Sequence, residues 1–151
     1  MLVKEILALS RVETGSDLQS KKAVLEHLSE MLATDCPDLT GLEVFEGLLA
    51  RERLGSTGLG NGVAIPHGRM AGVTETKGAF LKVSSGVDYD AVDNQPVEMF
   101  FALLVPEKST DEHPKILALL AEMFSDASFL DRLRSQEDPE TIWTMLVTGA
   151  S

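Results

Sequence analysis

With one cysteine, Cys36, in 151 residues, the chain cannot close an internal disulfide and must hold its fold by packing. Its length makes that feasible, because a domain of this size buries roughly 68–70% of the surface its unfolded chain exposes. A lone cysteine also fits a reducing compartment, so the expected location is the cytoplasm. Long hydrophobic runs are missing too. No stretch approaches the ~18–20 apolar residues of a membrane span, and no membrane insertion is expected. The N-terminal apolar tract is short and is broken by Lys4 and Glu5, which reads as no signal peptide. Positive charge is scarce: 13 Lys and Arg stand against 24 Asp and Glu, a net of −11. Nucleic-acid binding needs a basic face, so no nucleic-acid partner is expected. Repeats, low-complexity tracts and linkers are absent, which predicts a single domain over residues 1–151.

What is present alternates between helical and extended patterns. Residues 2–9 predict one or two helical turns, Val12 starts an extended segment, and Gly15-Ser16-Asp17 reads as a turn. From Ser20 to about Thr34 the apolar positions Val24, Leu25, Leu28, Met31 and Leu32 make one helical face, with Ser20 as N-cap. Thr40-Gly41-Leu42-Glu43 has the capping-box pattern and opens a second helix through Val44, Phe45, Leu48 and Leu49 into Arg51 and Arg53. Gly78 to Val83 reads as a strand and Ser84 to Gln95 as loop. Val97 to Val105 is almost unbroken apolar, which predicts a strand covered on both faces. Helices are predicted from Pro114, over Ser128 to Ser135, and from Asp138-Pro139 to Gly149, the last with proline at N1. Helices on both sides of a buried sheet make the class α/β.

The densest local signal lies between Arg51 and Met70. Gly55, Gly58, Gly60 and Gly62 sit close together, where backbone must turn sharply or admit a close neighbour. Val63-Ala64-Ile65 reads as a brief strand that delivers His67, framed by Pro66 and Gly68. A polar connection is expected after it. Arg51, Arg53 and Arg69 face one acid, Glu52, so this window is cationic within an acidic protein. That combination favours an anion, phosphate first.

Known phosphate motifs almost fit. Gly55 to Gly60 has the spacing of a P-loop, but Asn61 and Gly62 stand where lysine and a hydroxyl residue are required. The dinucleotide fingerprint fails because Val63 occupies its third glycine. No nucleophile elbow is present. Backbone amides and the Ser56 and Thr57 hydroxyls remain able to cradle an anion. Of the three histidines, His27 falls mid-helix on a solvent side. His113 precedes Pro114, which predicts an N-cap position at a positive helix end. His67, His113 and a carboxylate such as Asp111 or Glu112 lack tight zinc spacing, and arginines beside a metal would oppose it, so no metal is expected.

The run Leu49 to Gly68, with Asp93-Asn94-Gln95-Pro96-Val97 and Phe101 to Pro106, resembles the IIA proteins of the bacterial phosphoenolpyruvate-dependent phosphotransferase system. The resemblance is to the fructose/mannitol superfamily and, within it, to the nitrogen-regulatory branch. It covers essentially the whole chain. It implies a three-layer α/β/α sandwich around a mixed β-sheet. It implies that His67 accepts a phosphoryl group on its Nε2 side from an HPr-like phosphocarrier, flanked by Arg51 and His113. A phosphate-binding loop of Ser56, Thr57, Gly58, Gly60, Asn61 and Gly62 would complete the cradle, with no cofactor and no metal. The partners implied are that donor and regulatory targets such as transporters or sensor kinases. The chain departs from the pattern at Pro114, where leucine is expected after the second histidine. Two other functions compete with a phosphorylation-dependent regulator. One is a sugar-specific component that passes phosphate to a IIB domain for fructose or mannitol uptake. The other is a passive anion- or nucleotide-sensing module that is never covalently modified.

Overall fold

The computed structural model describes residues 2–108 and 112–149. A short helix α1 (Val3–Ile6) and a 3-10 turn (Leu9–Arg11) lead into strand β1 (Val12–Ser16). Two helices follow, α2 (Lys21–Ala33) and α3 (Gly41–Arg53). Both start as their sequences predict: Ser20 Oγ accepts from Ala23 N, and Thr40 and Glu43 cap each other reciprocally. Then come β2 (Gly58–Gly60), β3 (Val63–Ala64), β4 (His67–Met70), β5 (Lys77–Val87) and β6 (Val97–Pro106). The chain ends in α4 (Glu112–Met123), α5 (Ala127–Arg134) and α6 (Pro139–Thr148). Asp138 caps α6, with Pro139 in its first turn.

The strands form one mixed sheet in the order β1-β5-β6-β3-β2, and β4 also pairs with β6. β1 runs parallel to β5, and β3 and β4 run parallel to β6, whereas β5 and β6 are antiparallel. Side chains on a strand alternate between faces, and β6 shows what that does. Met99, Phe101 and Leu103 enter one apolar cluster with residues of α1, α4, α5 and α6. Phe100, Ala102 and Leu104 enter the other, with residues of α2 and α3. The unbroken apolar run is therefore covered on both sides, and the architecture is the three-layer α/β/α sandwich.

Four local expectations are revised. Gly15 and Ser16 belong to β1, where the register shifts beyond Glu13 and Gly15 takes φ +72°. The polar stretch after His67 is a strand, because pairing with Leu103 to Pro106 outweighs its composition. β5 runs on to Val87, which pairs with Val97, so Ser84 to Gly86 are not loop. The brief strand at Val63 stops at Ala64, and the glycine-rich stretch itself contains β2.

Candidate phosphoryl-acceptor site

Ile65 and Pro66 interrupt the extended segment between β3 and β4, and the chain rejoins β6 at once. Leu103 N donates to Pro66 O at 2.9 Å, and His67 pairs with Leu103. His67 thus opens a strand, and its backbone is fixed. Its ring is fixed as well: Nδ1 lies 2.8 Å from Ile65 O. A carbonyl only accepts, so Nδ1 carries the proton and the lone pair of the neutral ring sits on Nε2. The residue is 9% exposed. Burial pushes its pKa below the ordinary imidazole value of 6.5. The bond to Ile65 counters that, the Arg51 charge adds to it, and Glu52 opposes.

Helix α3 brings Arg51 to this ring. A Cβ on Gly68 would lie 3.4 Å from Gly47 O, so the helix backbone rests almost directly on β4. Gly68, which frames His67 in the sequence, thus serves helix–strand packing. One turn beyond Gly47, Arg51 Nη1 donates to Gly55 O at 2.8 Å. Arg51 and His67 line a cleft of about 380 Å³ with Ser56, Thr57, Gly58, Leu59 and Ile65. Leu117, Ala118 and Ala121 of α4 form its apolar wall.

His113, on the same helix, is not among the residues lining this cleft and meets His67 directly. Its ring stands edge-on to that of His67, with centroids 5.1 Å apart and an interplanar angle of 72°. Helix α4 begins at Glu112, so His113 lies inside the first turn and not at the N-cap that Pro114 suggested. Proline is tolerated anywhere in that first turn, because the amide it lacks has no helical partner there. Arg69 Nε donates to His113 Nδ1 at 3.0 Å. A guanidinium cannot accept, so the neutral ring carries its proton on Nε2. That Nε2 is buried and has no hydrogen-bond partner among the described residues. Burial, then the charges on His67, Arg69 and Arg51, lower the His113 pKa. Arg69 entered the sequence reading only as part of the cationic window, and its role beside His113 is what that reading missed. Its position two after His67 puts it on the same strand face, but nothing local pointed to His113.

The glycine-rich loop divides in two. Ser56 Oγ donates to Tyr89 O at 2.9 Å and accepts from Gly58 N at 3.1 Å. Thr57 N donates to Glu52 Oε1 at 3.1 Å, its hydroxyl bonds to the same carboxylate, and Lys21 pairs with Glu52 at 3.0 Å. These side chains shape the cleft floor and are already engaged. Gly60, Asn61 and Gly62 lie elsewhere: Gly60 ends β2, and Asn61 and Gly62 make the tight turn to β3. Asn61 and Gly62 have φ of +59° and +80°, the positive pair an inverse hairpin turn needs. Asn61 N donates to Asp93 Oδ2 at 3.0 Å, and Gly62 O accepts from Glu98 and Met99 amides. The structure places these three at the hairpin tip and not among the residues lining the cleft.

Among the described residues no three His, Cys, Asp or Glu side chains gather to hold a metal. Asp111 lies outside the described residues, as does the side chain of Glu112. Among the described residues no helix is long and apolar enough to cross a membrane.

Comparison with known proteins bears on the family and the fold. The family model for the phosphoenolpyruvate-dependent sugar phosphotransferase system, EIIA 2, matches residues 5–148. A nitrogen regulatory protein of Pseudomonas aeruginosa is 44% identical over 145 residues, spanning 96% of this chain and 94% of that protein. The crystal structure of nitrogen regulatory protein IIA-Ntr from Neisseria meningitidis has a TM-score of 0.91 at 44% identity, covering 95% of this chain and 98% of that one. Enzyme IIAMTL, solved in complex with phosphorylated enzyme IIBMTL from Escherichia coli, shares the fold with a TM-score of 0.78 at 19% identity, over 95% of this chain and 99% of that one.

Proposed function

Because the chain belongs to the EIIA 2 family of the phosphoenolpyruvate-dependent sugar phosphotransferase system and is similar to its nitrogen regulatory members, we propose that this phosphotransferase component carries a phosphoryl group on His67 Nε2. The donor is an HPr-like carrier in the cytoplasm, and the modified and unmodified forms regulate different target proteins. The observation that carries this reading is the pair of opposed ring states. His67 has its proton held on Nδ1 by Ile65 O, and His113 has an unpartnered Nε2–H beside it.

The chemistry follows from that pairing. The Nε2 lone pair of His67 attacks phosphorus in line as the donor's nitrogen–phosphorus bond breaks, and the electron pair of that bond returns to the donor imidazole. Such a transition state is loose, so the protein contributes position and charge compensation. The Arg51 guanidinium and the His113 Nε2–H are the groups able to receive the phosphoryl oxygens. Nδ1 of His67 keeps its proton against Ile65 O. The product ring is then cationic, a good leaving group for onward transfer. The engaged hydroxyls of Ser56 and Thr57 hold the floor of the cleft in shape.

The test is incubation with phosphoenolpyruvate, enzyme I and the carrier, followed by mass spectrometry to the modified residue. An acid-labile, base-stable phosphate on His67 is expected, and a His67→Ala variant that still takes up label would overturn the site. The fold shared with an enzyme IIA that forms a complex with a phosphorylated IIB favours one second reading, a sugar-specific role. Rapid charging of a fructose- or mannitol-type IIB domain by the phosphorylated protein would establish that role. Reversible phosphate binding with no phosphohistidine would instead support a passive sensor.

A further inference from the structure

We infer that Arg69 decides which of the two adjacent imidazoles is the nucleophile, by claiming the Nδ1 lone pair of His113 and so keeping a proton on its Nε2. This rests on the phosphoryl-acceptor reading of His67 and adds a positioning residue to it.

The two rings are chemically equivalent at first sight. Both are imidazoles, their centroids are 5.1 Å apart, and among the described residues neither has a carboxylate on its ring nitrogens. Each is nevertheless given a different proton position by its outer partner. An acceptor, Ile65 O, takes the Nδ1–H of His67 and frees Nε2 as a nucleophile. A donor, Arg69 Nε–H at 3.0 Å, fills Nδ1 of His113 and leaves Nε2 protonated. A protonated ring nitrogen has no lone pair with which to attack, but it is a good donor to phosphoryl oxygen. The buried, unpartnered state of His113 Nε2 is what such a donor looks like before its acceptor arrives.

Arg69 suits this task better than a neutral residue would. A guanidinium stays charged at any working pH and has no acceptor atom, so it can never present the opposite pattern to the ring. Without it, no contact of His113 with the described residues distinguishes its two neutral tautomers. In the alternative tautomer the Nε2 lone pair of His113 would face the incoming phosphoryl oxygens, repelling them where it had donated.

The experiment uses the full-length protein and two variants, Arg69→Met and Arg69→Lys. Long-range proton–nitrogen NMR of the ring nitrogens reads the tautomer of His113 directly, in the unphosphorylated protein and without the donor system. Wild type should show His113 protonated on Nε2. Arg69→Met should populate the Nδ1–H form and slow phosphorylation of His67 by about tenfold to a hundredfold, the range found when outer partners that orient histidine ligands are removed. Arg69→Lys retains a charged donor and should recover part of both. An unchanged His113 tautomer in Arg69→Met overturns the inference whatever the rate does. A shifted tautomer with a wild-type rate overturns it equally. If wild type takes no label on His67 at all, the acceptor reading fails while the NMR still reports on the Arg69 bond, so the two failures are separable.

Discussion

At the scale of single residues, the site is governed by where protons sit and what compensates charge. Among the described residues the Arg51 side chain makes one hydrogen bond, to Gly55 O, and otherwise lines the cleft. Arg51→Ala should leave the fold intact, losing about 1 kcal/mol for that bond. It should slow phosphorylation by roughly 10²- to 10³-fold, the usual loss when one donor to a developing anion is removed. Rapid-quench labelling alongside urea denaturation separates the two effects, and an unfolded variant would make Arg51 structural. The histidines also tie stability to pH. Both His67 and His113 hold a proton less tightly folded than unfolded, burial being the main cause. Below the ordinary value of 6.5 the unfolded chain takes up protons that the folded chain refuses. Stability therefore falls as pH drops through that value and is untouched by these groups above it. Urea midpoints at about pH 7.5 and pH 5.5 should differ less for a His67→Gln, His113→Gln double variant than for wild type. Equal differences would remove burial of the rings as the cause.

Elements carry these residues to one another, and here the sequence was legible unevenly. Helix starts at Ser20, Thr40 and Asp138 could be read because capping chemistry is local. His67 and Arg51 stood out because a cationic, glycine-rich window is rare in an acidic chain. The partnership of Arg69 with His113 depends on β4 lying beside the start of α4, a juxtaposition 44 residues apart in sequence, and no local pattern encodes it. The tip at Asn61-Gly62 was legible in the sequence, because that dipeptide is the strongest short hairpin signal, and the same two residues were also expected in the phosphate-binding loop. Gly62→Ala tests the assignment. It forces a side chain into positive φ and sets a Cβ 3.1 Å from Arg134 Nη2. A loss of roughly 1–2 kcal/mol is expected from the backbone alone, read by denaturation, with phosphorylation still reaching wild-type completeness. A variant that stays stable but cannot be labelled would return Gly62 to the phosphate loop.

Over the whole molecule, one sheet serves two apolar layers. Phe100 and Phe101 are sequence neighbours, each fully buried, and they point into opposite layers. Replacing either with alanine should cost about 3–5 kcal/mol, a large part of the 5–15 kcal/mol typical of a folded domain. Because β6 is common to both layers, either change should lower a single cooperative transition, seen alike by circular dichroism and by Trp143 fluorescence. Two resolved transitions in either variant would mean that the layers melt separately.

The carbonyl of Ile65 has a consequence beyond selecting a nitrogen. A ring tethered on one side, on a residue stitched into a sheet, is a stationary socket. On the proposed function, a phosphoryl donor or acceptor must travel to it and fit its mouth as found. Modification would then show in the electrical appearance of that mouth, and a target that told the two forms apart would be a reader of surface charge.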